Sequence, residues 1–257
     1  MIKFITDFPA VFIQEKKILM IADPHIGLEY ELFMSGIKIP KQVEKFKKQI
    51  DYLLDLTKAH KLIILGDIKH KVPGVSVQEL KDIPIFLEYL KAKTKVILVR
   101  GNHDSDLQNL IPSGVKVYGS RGFKLGKYGF FHGHAWPSKK LMQCNYLFMS
   151  HTHPAIEFRD KLGYRSIEPV WVRGKLNQGL VKRKYKIKKC GKLETIILPA
   201  FNRLLGGVAL NSIVEKELIG PLLANKFFDV DNSKAYLLDG TLLGNVKLLK
   251  KFKQQNS

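Results

Sequence analysis

Five short apolar runs in this chain stop abruptly at polar residues. Lys17 to Ala22 leads into Asp23-Pro24-His25, Leu62 to Gly66 into Asp67, and Val96 to Gly101 into Asn102-His103-Asp104. Tyr128 to Phe131 leads into His132-Gly133-His134, and Tyr146 to Ser150 into His151-Thr152-His153. Brief aliphatic and aromatic runs bounded by turn residues predict buried strands. Each would deliver His, Asp or Asn at its carboxyl end.

The intervening segments read differently. Pro40 opens a predicted helix, Lys41 to Ala59, with Val43, Phe46, Ile50, Leu53 and Leu54 at helical spacing. Val77 to Leu90 is helical in pattern, with a break or fresh start expected at Pro84. Ile26 to Pro40 reads as an irregular loop, and Ile2 to Phe8 and Ala10 to Ile13 as strands split at Pro9. From Val115 onward, short strands punctuated by glycine replace the strand-helix alternation: Val115 to Tyr118, Phe123 to Leu125 and Tyr128 to Phe131. A hairpin about Asp160 to Gly163 and strands at Val170 to Arg173, Thr195 to Leu198, Tyr236 to Leu238 and Thr241 to Leu248 complete a second sheet. Ser138 to Gln143 and Ser212 to Leu218 suit brief helices. Gly174 to Lys192 is strongly basic without an acid, and the alternation over Lys184 to Lys188 predicts an exposed strand or flap. Lys250 to Ser257 reads as a basic frayed end.

Composition narrows the class. The 257 residues suit one large domain, 1–257, with a motif-bearing core at about 17–153 and a basic region at 174–257. At 45% hydrophobic the chain can build a core, yet no run is long and uncharged enough to span a bilayer. Met1 to Asp7 lacks the features of a signal peptide, so residence in the cytoplasm is expected. Cys144 and Cys190 make no disulfide framework and read as small buried hydrophobes. Lys and Arg number 43 against 23 Asp and Glu, a formal net charge of +20. Such an excess points first to nucleic acid, then to an anionic membrane surface, with a plain lysine-rich surface as the bland reading. Sequence leaves the oligomeric state open.

The strand ends offer Asp23, His25, Asp67, Asn102, His132, His151 and His153, enough nitrogen and oxygen donors for two metals sharing one carboxylate. A single histidine at a strand end is usually structural; their joint placement is not. Imidazole mixed with carboxylate and amide oxygen favours manganese, iron, zinc or cobalt over calcium or magnesium. Two carboxylates and a bridging hydroxide do not cancel two divalent ions, so the site keeps a positive charge suited to a phosphate.

Asp23-x-His25, Gly66-Asp67, Gly101-Asn102-His103-Asp104, His132-Gly133 and His151-x-His153, in that order, resemble the five motifs of the calcineurin-like metallophosphoesterase superfamily. The resemblance implies a mixed α+β and α/β architecture, a four-layer αββα sandwich of two mixed sheets flanked by helices. Its dimetal site would lie at the carboxyl ends of strands. It implies Asp23, His25, Asp67 and His153 on one metal and Asp67, Asn102, His132 and His151 on the other, with Asp67 bridging. His103 would stabilise the transition state or protonate the leaving oxygen, with Asp104 orienting its ring. His70 matches an assisting histidine of a nuclease branch, and His134 is a lesser rival of His132. Ser150 stands where the family usually has glycine.

Gly66 to His70, His132 to Pro137, and Pro199 to Asn202 with Gly206-Gly207 are similar to the archaeal Icc-like phosphoesterases, related to ligase-associated DNA damage response endonucleases. That narrower resemblance implies hydrolysis of nucleic-acid phosphodiesters with two manganese ions; iron, zinc, cobalt and nickel are the alternatives. DNA is the favoured partner, and the charge of the basic stretch makes Lys182, Arg183, Lys184 and Lys186 its expected phosphate contacts. The competing readings are a phosphatase or phosphodiesterase for small substrates and a non-catalytic interaction scaffold.

Overall fold

The apolar runs alternate their side chains between two faces, and each face has its own cover. In a computed structural model describing residues 1–212 and 218–255, strands β1 (Ile2–Phe4), β2 (Val11–Ile13), β3 (Ile18–Ile21), β4 (Lys61–Leu65), β5 (Lys95–Val99) and β6 (Lys116–Tyr118) form one sheet in that order. β3 to β6 run parallel, and β1 and β2 form an antiparallel edge. Helices α1 (Leu28–Met34), α2 (Val43–Thr57) and α3 (Val77–Lys91) lie in the crossovers.

The second sheet contains β7 (Phe123–Leu125), β8 (Tyr128–Phe130), β9 (Tyr146–Met149), β10 (Pro154–Arg159), β11 (Arg165–Lys175), β12 (Glu194–Ile197) and β13 (Val208–Ala209). Their order is β13-β10-β11-β12-β9-β8-β7. After α4 (Gln178–Tyr185) and α5 (Pro221–Ala224), the hairpin of β14 (Lys234–Leu237) and β15 (Leu242–Asn245) joins β11, and α6 (Val246–Gln255) follows.

Leu19, Ile21, Leu62, Ile64 and Leu98 face Phe46, Ile50, Leu53, Phe86 and Leu90 of α2 and α3. Their neighbours Ile18, Met20, Ile63 and Leu65 face Phe130, Phe148, Trp171 and Ile196 of the second sheet. The far side of that sheet, with Leu147, Met149, Val170 and Val172, is covered by Val181, Leu222, Leu223 and Val246. This is the expected layering of two mixed sheets flanked by helices.

Local differences from the sequence expectations have identifiable causes. The break at Pro84 is absent, and α3 runs through it. An interior proline costs about 3 kcal/mol, but Ile83, Phe86, Leu87 and Leu90 are buried at about 1.5–3 kcal/mol each. Ser76 and Glu79 also cap the helix reciprocally. The expected loop after Ile26 contains α1. The start of the expected strand or flap, Lys184 and Tyr185, instead ends helix α4, and Lys186 leaves it with a left-handed backbone; Asn177 accepts from the Leu180 N–H at 3.1 Å at the other end, and Val181 is buried. The apparent alternation rested on Tyr185 and Ile187 alone. Residues 246–248, expected in a strand, open α6, which runs on through the expected frayed end as far as Gln255. The helix expected from Ser212 to Leu218 falls mostly outside the described residues.

Candidate metal centre

Parallel strands place their carboxyl ends side by side, and here both sheets do so at one point. β3, β4 and β5 deliver Asp23, Asp67 and Asn102; β8 and β9 deliver His132 and His151 from the other sheet. Asp23, His25 and His153 form one group whose potential ligand atoms lie within 4.8 Å of one another, and Asp67, His132 and His151 form another.

Five of these residues have left-handed backbones: Asp23 (φ 51°), His25 (φ 42°), Asp67 (φ 48°), His151 (φ 70°) and His153 (φ 41°). Non-glycine residues in this region cost about 1–3 kcal/mol each. Such a concentration at one point belongs to a site that must aim side chains. Close approach demands glycine at two places: a Cβ on Gly66 would overlap the His132 ring, and one on Gly101 would overlap the Asp67 carboxylate.

The Asp67 carboxylate lies between the two groups. Its Oδ1 accepts from the His103 N–H at 2.8 Å. Its Oδ2 lies 3.5 Å from His25 Nε2 and 3.3 Å from His132 Nε2. Asp23 Oδ2 lies 3.5 Å from His153 Nε2, and Oδ1 lies 3.4 Å from His132 Nδ1. Asp23 Oδ1, His25 Nε2 and His153 Nε2 are buried without a hydrogen-bond partner. An unsatisfied buried polar atom costs about 1–3 kcal/mol, and a shared cation would satisfy these at once. The residues therefore fit two divalent ions, and the imidazole–carboxylate mixture suits transition metals.

The electrostatics agree. Burial opposes ionisation of Asp23 and Asp67, yet the neighbouring imidazoles hold both below the usual carboxylate range. Burial lowers His25 to about 3 and His151 to about 4, leaving both neutral, the form that binds a metal. Asn102 is exposed, with Oδ1 3.2 Å from His132 Nε2, where it could reach the same ion.

The supporting contacts define tautomers. His70 Nε2 lies 3.2 Å from Glu31 Oε2, and the rings of His70 and His25 meet Nδ1 to Nδ1 at 3.1 Å. A carboxylate accepts, so His70 donates from Nε2 and receives the Nδ1 proton of His25. His25 Nε2 is then left bare, facing Asp67. Glu31 was not singled out by sequence reasoning; its segment read as a loop, whereas as part of α1 it reaches His70. His103 Nδ1 donates to the His70 carbonyl at 2.5 Å.

The expected Asp104-to-His103 contact is not made among the described residues. Asp104 accepts instead from the N–H groups of Ile68 at 2.9 Å and Gly101 at 2.8 Å, tying the ends of β4 and β5 together. Burial, with Asp67 nearby, pushes it up to about 6. Ser150 places its hydroxyl against Asp23 Oδ2 and the Leu198 carbonyl, so the replacement for glycine adds a contact to Asp23. His134 stands behind His132, ring centroids 5.2 Å apart, and joins none of the three-residue ligand groups among the described residues.

Lys182, Arg183, Lys184 and Lys186 are exposed on or just after α4. Lys184 Nζ lies 3.6 Å from the Trp136 ring centroid, and Tyr185 donates to the Pro137 carbonyl at 2.8 Å. The basic helix is thereby fastened to the loop that begins at His132.

A family model described as calcineurin-like phosphoesterase matches residues 16–182. A solved nuclease, MPE of Pseudomonas putida, is 21% identical, with 90% of this chain and 89% of that chain covered and a TM-score of 0.53. Yfce, a phosphoesterase from E. coli, is 17% identical, with 88% and 96% covered and a TM-score of 0.42. No curated protein matches the chain.

Proposed function

The chain belongs to the calcineurin-like phosphoesterase family and is a metal-dependent hydrolase of phosphoric esters; from that premise we propose that it cleaves phosphodiester bonds in nucleic acid, DNA foremost. The observation behind this reading is the pair of ligand groups joined at Asp67, with the basic helix α4 fastened beside them. Asp23, His25, Asp67 and His153 would hold one ion, and Asp67, Asn102, His132 and His151 the other. Two such ions, manganese in this proposal, supply charge stabilisation for the phosphoryl oxygens and a nucleophile available near neutral pH.

The protein groups have distinct duties in this scheme. His70 and Glu31 hold His25 in the tautomer that leaves Nε2 free. His103, anchored through Nδ1, presents Nε2 to the departing oxygen and, when charged, donates a proton there. Asp104 acts through the backbone, fixing the turn that carries Asn102 and His103. Lys182, Arg183, Lys184 and Lys186 meet the phosphate backbone away from the scissile bond.

The nuclease of Pseudomonas putida shares the fold, and the net charge of +20 suits a polyanion. Within the family we place the chain beside the archaeal Icc-like phosphoesterases and assign it to DNA repair in the cytoplasm. It would work as one domain, with 17–153 holding the metals and 174–257 contributing contacts to nucleic acid. No helix among the described residues is long and apolar enough to cross a membrane.

A metal-supplemented hydrolysis panel tests the proposal. Bis-p-nitrophenyl phosphate and single- or double-stranded DNA should be hydrolysed in preference to p-nitrophenyl phosphate. Preference for the monoester, with DNA left intact, would favour the small-substrate phosphatase.

A further inference from the structure

A second concavity opens beside the metal centre and shares a wall with it. Its volume is about 210 Å3, and His153 forms one edge. Pro154, Pro169, Pro199, Ile167 and Leu205 supply apolar walls, with Arg203 at the lining. The loop behind it is stitched to the metal-binding segments. Phe201 N–H donates to the Ala22 carbonyl at 2.7 Å, and Asn202 Nδ2 to the Pro24 carbonyl at 3.1 Å, on either side of Asp23. Val208 N–H donates to the carbonyl of His153 at 2.9 Å. Gly207 permits this approach, since a Cβ there would come within 2.8 Å of the same carbonyl. The cleft is thus a built extension of the metal centre.

Its chemistry points to a planar heterocycle. Proline rings and branched aliphatic side chains make stiff walls, which suit a flat ring that loses little on being sandwiched. The volume falls below the roughly 300–1,000 Å3 of drug-sized sites, enough for one base and too small for a base pair. The exposed side chain of Arg203 is engaged in no hydrogen bond or ion pair among the described residues. Arg203 can therefore meet a phosphate or a base carbonyl.

Resting on the nucleic-acid reading above, we propose that this cleft receives one unpaired nucleobase next to the scissile phosphate, which makes single-stranded or frayed nucleic acid the substrate class. A base inside a duplex could not enter without being unstacked. Discrimination would therefore come from substrate flexibility as well as from hydrogen bonding.

The test compares the metal-loaded wild type with Arg203→Ala and, separately, with Leu205→Trp, which narrows the cleft without removing Arg203. The ratio of kcat/KM for a single-stranded oligonucleotide to that for bis-p-nitrophenyl phosphate should fall at least about tenfold in both variants, as expected for one lost charge-assisted contact. Metal content should match the wild type. Affinity for adenosine 5′-monophosphate, measured by calorimetry, should fall alongside. An unchanged ratio, or equal losses on both substrates, would overturn the proposal. Wild-type protein that hydrolyses bis-p-nitrophenyl phosphate but no oligonucleotide would overturn the underlying nucleic-acid reading instead. Nucleotide affinity then decides the cleft by itself: equal affinity in wild type and variants means that no base binds there.

Discussion

His103 is held by the backbone of His70, its Nδ1 donating to that carbonyl at 2.5 Å. Because a carbonyl can only accept, Nδ1 keeps its proton in every state, and Nε2 is the atom that can exchange one. Positioned acids contribute about 10²–10⁴-fold to rate. His103→Ala should keep both metals and lose turnover within that range. The loss should shrink for p-nitrophenyl leaving groups, which need little protonation. An equal loss across leaving groups would indicate charge stabilisation, and metal loss would remove His103 from either role.

The side chain of His70 serves a different neighbour, since its ring meets His25 at 3.1 Å and Glu31 at 3.2 Å. His70→Ala removes the ring but leaves the carbonyl that anchors His103. Removing such a supporting partner typically weakens metal binding by about 10–100-fold. Glu31→Gln should shift affinity in the same direction by less, because an amide oxygen still accepts. Saturating metal should restore most turnover in both variants. Wild-type metal affinity in His70→Ala would contradict the tautomer assignment.

Metal uptake should depend on pH through His132. Burial pulls its pKa down, but the Asp67 and Asp23 carboxylates outweigh burial and push it up to about 9. Its Nδ1 proton is engaged by the Leu65 carbonyl at 2.8 Å, so the proton displaced by a metal is the one on Nε2. Below about pH 9 metal binding should release that proton, and affinity should fall as pH drops. In the metal-free protein the raised value stabilises the fold most below the unfolded-state pKa of about 6.5. That contribution is lost as pH rises through about 9. Calorimetry at pH 7.5 in buffers of different ionisation enthalpy reads the proton directly, and buffer-independent heats would contradict the assignment.

The basic helix makes a prediction about salt. If α4 meets phosphates, log affinity for duplex DNA should fall against log salt by about 0.9 per contact. Replacing Lys182, Arg183, Lys184 and Lys186 with Ala should weaken binding and flatten that slope, while hydrolysis of bis-p-nitrophenyl phosphate continues because the metal ligands are intact. Superimposable salt lines for the two proteins would show that this helix is not the nucleic-acid surface.

Much of the metal centre was legible because strand ends and ligands coincide in sequence. Ile18–Ile21 into Asp23 and Lys61–Leu65 into Asp67 are continuous stretches, so buried strands announce where their side chains must emerge. Glu31 was not legible: its reach to His70 depends on α1 forming within an apparent loop. The contact between Asp104 and the N–H groups of Ile68 and Gly101 was hidden for a similar reason, since nothing in Asn-His-Asp says whether the last carboxylate faces a ring or the backbone. Helix α4 was misread because two apolar residues alternating among lysines fit a strand as well as a helix end, and the Asn177 cap settles the matter only in three dimensions. The cleft beside His153 joins segments from Pro154, Ile167, Pro199 and Leu205, which no local pattern connects.

Asp67 Oδ2 faces an imidazole Nε2 of each ligand group, His25 at 3.5 Å and His132 at 3.3 Å, and metal stoichiometry in Asp67→Ala tests the two-metal account most directly. The variant and the wild type would be stripped by chelation, reloaded with manganese, desalted and analysed for metal per chain alongside hydrolysis of bis-p-nitrophenyl phosphate. The account predicts two ions per wild-type chain, and for the variant a folded protein that has lost metal and hydrolysis together. A variant that retains both ions with near-normal turnover would contradict it.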